Sequence, residues 1–241
     1  MLKLSLLLGA VAAMADVAGA LVLVRAEGVQ RYLRYFVALG AGFLMATSVL
    51  EMLPESLKLD MKVAPVLVMA GYCAVHFLEH TINAHFHFGK ETHHGEFVSK
   101  HTSYSVLAGL AVHALFDGVA IGSGFAISRA LGMLIFLAIA LHKAPEGFTM
   151  ASVMLASGRS RRTALYSAIA LAGATLVGVL VIELVPQLVR FGLPISAGVA
   201  LYVAATDLVP EVNREPGIRM ALVFFAGVAG FLLLRMAMPA L

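Results

Sequence analysis

Two short strings in this chain pair a histidine with a carboxylate four residues later: His113 with Asp117 in HALFDG, and His142 with Glu146 in HKAPEG. Spacing of i, i+4 puts both members of a pair on one helical face. Both strings lie in apolar stretches. Inside a bilayer four such groups are costly unless they face one another around an ion or a water-filled path. Two imidazole nitrogens and two carboxylate oxygens suit a four-coordinate, borderline divalent ion, with water or Met45 completing a less regular shell. A lone buried histidine is more often a helix–helix hydrogen bonder. Two such pairs in adjacent segments point instead to metal capture and exchange.

Lys143 lies between the members of the second pair. A membrane-buried ammonium needs a partner, and Glu146 or Asp117 is in reach. Paired so, it neutralises carboxylates that would otherwise hold a second cation. The alternative is a snorkelling lysine in an aqueous vestibule. HFLEH, His76 to His80, matches the inverted zinc-hydrolase spacing H-x-x-E-H. Five residues make a weak signature, and His76, Glu79 and His80 read better as transient metal contacts, together with His85, His87, His93 and His94. Glu51 and Asp207 are further pathway candidates, and Asp16 and Asp207 are expected to lie deepest. Glu183 in span six is another pathway candidate, while Glu55 and Glu211 read as helix-end or mouth residues.

The elements that must hold these groups follow from composition. Of 241 residues, 61% are hydrophobic and 13% charged, against roughly 45–50% apolar in a soluble domain. The excess must face lipid. Eight spans are predicted, at about 3–24, 33–53, 63–82, 103–127, 130–156, 162–185, 192–210 and 217–237. The fourth and fifth are joined only near Ser128–Arg129, so they should be antiparallel neighbours. The first is expected to be a span rather than a cleaved signal. The whole, residues 1–241, reads as a single polytopic domain with a histidine-bearing cytoplasmic loop at about 83–102.

Basic residues set the orientation. Arg25, Arg31, Arg34, Lys90, Lys100, Arg159, Arg161, Arg162, Arg214 and Arg219 fall on one side, and Lys3, Lys58, Lys62, Arg129, Arg190 and Arg235 on the other. The richer side should be cytoplasmic, which puts both termini outside. Net charge is +3, and no basic tract with interleaved aromatics supports nucleic-acid binding. Cys73, the single cysteine, is expected to be a small core residue. Pro145 should disturb the helix beside His142 and free a carbonyl. The similar strings EMLPES and DLVPEV hint at related halves.

Taken together, HALFDGVAIGSGF (113–125), HKAPEGFTMASVML (142–155), GAGFLMATSVLEMLPES (40–56) and ALYVAATDLVPEV (200–212) resemble the fourth, fifth, second and seventh helices of the ZIP (ZRT/IRT-like) divalent-metal transporters. That resemblance implies an all-α integral membrane protein, an eight-helix bundle, often dimeric, at the cell membrane (the inner membrane in a Gram-negative bacterium). His113, Asp117, His142 and Glu146 would form the principal transport site, with Met45 an additional contact from span two. Uptake toward the cytoplasm by alternating access is implied, of Zn²⁺ first and of Fe²⁺, Mn²⁺ or Cd²⁺ besides. Many members carry Asn after the fourth-helix His and an acidic residue after the fifth-helix His. Ala114 and Lys143 stand there instead, which implies one transport metal with Lys143 in place of a second. No catalytic cofactor is expected. An intramembrane zinc-dependent hydrolase would use a similar cluster, but no additional nucleophile or general base is evident. A metal sensor is the third reading.

Overall fold

Among the described residues, seven helices are long and apolar enough to cross a membrane: Leu4–Val24, Tyr32–Leu59, Ser103–Ile127, Arg129–Ala156, Arg161–Leu184, Pro186–Arg214 and Ile218–Ala237. The computed structural model describes residues 2–25, 30–81, 100–214 and 217–238, and its regular elements are all helical. They are α1 (Leu2–Arg25), α2 (Gln30–Thr47), α3 (Leu53–Leu59), α4 (Ala64–Thr81), α5 (Lys100–Ile127), α6 (Arg129–Ala156), α7 (Arg161–Leu184), α8 (Val189–Tyr202), α9 (Val209–Arg214) and α10 (Ile218–Ala237). Most of the loop predicted at 83–102 lies outside the described residues, and with it His85, His87, His93 and His94.

The predicted third span corresponds to α4, which is helical for 18 residues. It is missing from the membrane-length set because His76, Glu79 and His80 dilute its apolar run. It nonetheless packs along α8 and completes the bundle. This is an all-α, multi-spanning membrane bundle. Large apolar side chains such as Leu7, Met14, Phe77, Phe225 and Met236 are exposed on its outer faces, where lipid replaces water as solvent. Cys73 is exposed on α4 and not in the core. A lipid-facing helix is apolar all round, so an apolar neighbourhood does not reveal which way a small residue points.

Central position belongs to α6. Of its most apolar window 72% is buried against protein, compared with 17% for α10. It contacts α1, α2, α5 and α7. Its ends are sharply defined. Ser128, the one residue between α5 and α6, has extended backbone, and its hydroxyl accepts the Leu131 N–H at 3.1 Å, a serine N-cap. At the far end Gly158 takes φ +76°. The Gly158 N–H donates to the Leu155 carbonyl and the Arg159 N–H to the Met154 carbonyl, which is the Schellman closure that favours glycine.

Two spans change pitch. The turns Ser48–Met52 and Val203–Leu208 are π-helical, and each runs into a proline, Pro54 or Pro210. A proline ring clashes with the carbonyl four residues back, and a widened turn relieves that clash. The two similar strings therefore share a local structure as well as a spelling. Pro145, by contrast, lies inside an unbroken α6.

Candidate metal centre

Connection length fixes the register of the two signature helices. His113 lies 15 residues before Ser128 and His142 lies 14 after it. At 1.5 Å per residue both stand about 21–23 Å from the turn, near the middle of their helices. Asp117 is nearer the turn and Glu146 farther from it, so the four groups interleave in depth. Asp117 should meet His142, and His113 should meet Glu146.

The distances follow that order. His142 Nε2 is 3.4 Å from Asp117 Oδ2, and His113 Nε2 is 3.2 Å from Asp117 Oδ2 and 3.8 Å from Glu146 Oε2. One ligand atom from each of the four residues lies within 4.8 Å of the others, and all four side chains are buried. With metal bonds of about 2.0–2.1 Å, tetrahedral neighbours sit roughly 3.3–3.4 Å apart. Two of these separations, 3.2 and 3.4 Å, are already at that spacing, and side-chain shifts within the cluster close the rest. No other group of three or more such ligands is found among the described residues.

Proton placement sharpens the picture. His142 Nδ1 lies 2.9 Å from the Ala138 carbonyl, which can only accept, so Nδ1 carries the hydrogen. In the neutral ring the Nε2 lone pair then faces an Asp117 oxygen. Two lone pairs at 3.4 Å are reconciled by a cation between them, and a backbone carbonyl behind a histidine is the usual device for orienting a metal ligand. The buried hydroxyls of Thr47, Ser48 and Ser56 are satisfied within their own helices, each donating to the carbonyl four residues back. Around the cluster the pattern changes. His113 Nδ1, Glu146 Oε1 and both Asp16 oxygens are buried without a hydrogen-bond partner.

Lys143 is fully buried, which excludes the vestibule reading. Its Nζ donates to Glu146 Oε2 at 2.7 Å and lies 2.9 Å from Asp117 Oδ2. A third carboxylate, Asp16 of α1, stands at 3.7 Å. Asp16 is as deep as expected; Asp207 is only partly buried.

A narrow cavity runs from His113, His142 and Glu146 to Glu79 of α4 and Asp207 of the second π-helical turn. About 20 Å³ of it is open to the centre of a water molecule, enough for an ion with a water or so. Glu79 accepts a hydrogen bond from Tyr202 at 2.8 Å. His76 and His80 point elsewhere, exposed and stacked on each other at 4.1 Å, with His80 Nδ1 on the His76 carbonyl. HFLEH thus splits, its glutamate turned to the cavity and its histidines outward. Glu51 pairs with Arg235 of α10, away from the cluster, and Glu183 receives the Ser5 hydroxyl. Met45 packs against the main apolar core and does not line the cavity.

The sequence reading missed the Ala138 carbonyl, Tyr202 and Arg235. Ala138 was findable, standing one turn before His142 on the same face. Tyr202 and Arg235 act across helices that no local spacing connects.

Comparison with known proteins agrees with this site. The chain is 30% identical over 160 residues to "Zinc transporter ZIP9" of Micropogonias undulatus, covering 61% of this chain and 51% of that one. It is 34% identical over 117 residues to "Zinc transporter ZIP9" of Macaca fascicularis (44% of this chain, 50% of that one). Against "Zinc transporter ZIP4" of Homo sapiens it is 30% identical over 132 residues (54% and 20%). The chain thus spans about half the length, or less, of these curated relatives. The family profile described as "ZIP Zinc transporter" matches residues 97–235, more than half of the chain and inclusive of all four clustered ligands, and this chain belongs to that family.

Proposed function

We propose that this protein moves divalent metal ions, zinc first, across the membrane toward the cytoplasm, by alternating access through a predominantly single-metal site. His113, Asp117, His142 and Glu146 are the ligands. The observation that carries the reading is their convergence, deep in the bundle, to within 4.8 Å. The ion is the cargo. It exchanges water for two imidazoles and two carboxylates, then leaves them in turn; binding that was too tight would stall release. Protons compete with the metal for the same imidazole nitrogens, so acid weakens the site.

Several finer points belong to the same proposal. The 241 residues act as one polytopic unit. The chain lies in the cell membrane with both termini outside and the 83–102 loop in the cytoplasm, following its basic residues. The loop histidines, Glu79 and Asp207 serve as secondary contacts along the route, with Glu51 at its other mouth. Fe²⁺, Mn²⁺ and Cd²⁺ are alternative cargoes, since an N₂O₂ set does not select strongly for one borderline ion. Two copies associate through the lipid-facing helices, and nucleic acid plays no part. The family match favours transport over an intramembrane hydrolase. Purified protein in proteoliposomes should take up zinc, and uptake should fall sharply in His113→Ala and Glu146→Ala. Normal transport by both variants would reject the site.

A further inference from the structure

The four ligands all come from α5 and α6, yet a fifth ionisable group is packed against them from α1. Asp16 is fully buried, and neither of its oxygens has a hydrogen-bond partner. It is held there by close backbone packing. A Cβ added to Gly147 would sit 1.9 Å from the Asp16 carbonyl oxygen, and one added to Gly19 would sit 1.9 Å from that of Ala144. Two glycines thus let α1 press onto the turn of α6 that carries Lys143 and Glu146. An unpartnered carboxylate in a membrane interior is expensive, and the nearest cation is Lys143 Nζ at 3.7 Å.

The ammonium and the two imidazoles share the same oxygens. Lys143 contacts Asp117 Oδ2 and Glu146 Oε2, the atoms that also face His113 and His142. A dication bonded to those oxygens would lie against the ammonium, and like charges at such range repel strongly. The ammonium must therefore give way when metal binds. A shift of about 1 Å brings the 3.7 Å pair to charge-assisted hydrogen-bond distance. We propose that Asp16 is a positioning residue that receives the Lys143 ammonium as a divalent ion takes its place on Asp117 and Glu146. Charge balance supports the pairing. A dication and an ammonium carry three positive charges, and Asp16, Asp117 and Glu146 carry three negative ones. Without Asp16 the loaded site would be a net cation buried among apolar helices, at a heavy desolvation cost.

This inference rests on the four-ligand site proposed above, and the experiment separates the two. Zinc affinity and stoichiometry are measured on purified protein in nanodiscs for wild type, D16N, K143Q, D16N/K143Q and E146Q. D16N is expected to weaken zinc binding by roughly 10- to 100-fold, the scale of one lost charged hydrogen bond. In the K143Q background, where no ammonium needs receiving, the same substitution should cost at least about tenfold less, a coupling between touching residues. An equal effect in both backgrounds, or none in wild type, overturns the role of Asp16. Undiminished binding by E146Q overturns the site itself. Should D16N fail to fold, a zinc-loaded structure of wild type decides: Lys143 Nζ within hydrogen-bond distance of Asp16 supports the transfer, and Lys143 still on Asp117 and Glu146 refutes it.

Discussion

Replacing Lys143 with glutamine should destabilise the metal-free protein and make it depend on zinc. The ammonium lies 2.9 Å from Asp117 and 2.7 Å from Glu146. At an effective dielectric of about 20, each contact supplies roughly 6 kcal/mol of gross attraction. Burying the ammonium offsets much of that, and removing one partner of a buried ionic cluster typically costs about 3–5 kcal/mol net. For a chain of this length that corresponds to a fall of roughly 6–20 °C in unfolding midpoint. Zinc should close the gap, because a dication can bind the freed carboxylates without displacing an ammonium. Wild type gains from zinc too, so the gap narrows by the ratio of the two Kd values, about 1.4 kcal/mol for each tenfold tighter binding by K143Q. The assay is thermal unfolding of detergent-purified wild type and K143Q, in chelator and across a zinc titration. Equal midpoints in chelator, or a deficit that zinc leaves untouched, would refute the idea that Lys143 stands in for a cation.

Other substitutions test neighbouring parts of the account. K143D should bind a second metal ion that wild type does not, read as metal content per chain; equal stoichiometry would count against Lys143 as a charge substitute. Gly147→Ala forces a Cβ to within 1.9 Å of the Asp16 carbonyl oxygen, so α1 and α6 must part, at a cost of about 1–3 kcal/mol seen as a lower unfolding midpoint in chelator; an unchanged midpoint would show that the close approach is relaxed. Asp60 lies just beyond the span that ends at Leu59, and the Arg190 guanidinium, with the Val63 and Lys62 N–H groups, holds its carboxyl below its ordinary 3.8. That pairing stabilises the fold above pH 3.8 and is lost as pH falls through the lower folded value; Arg190→Gln should flatten the acid limb of a stability–pH profile, and a limb identical to wild type would refute the assignment.

The chemistry of the site was legible because it is written locally. Spacing of four residues on each helix, and a one-residue connection between them, fixed the pairing of His113 with Glu146 and of His142 with Asp117. What the chain could not disclose was rotation and distant company. Cys73 illustrates the first: in lipid the outward face of α4 is as apolar as the inward one, so periodicity carries little information. Asp16 illustrates the second, since its meeting with Lys143 depends on glycine packing between helices more than a hundred residues apart. HFLEH read as one ligand set, but Glu79 lines the cavity while both histidines are exposed, His80 lying about 100° round the helix from Glu79. The π-helical turns before Pro54 and Pro210 left only a faint trace, the recurrence of two similar strings.

X-ray absorption at the zinc edge, on protein loaded with one equivalent in nanodiscs, tests the central claim most directly. Two imidazoles and carboxylate oxygens should surround the zinc at about 2.0–2.2 Å, and the imidazole signal should halve in His142→Ala. A shell of oxygens alone, indifferent to that substitution, would contradict the account.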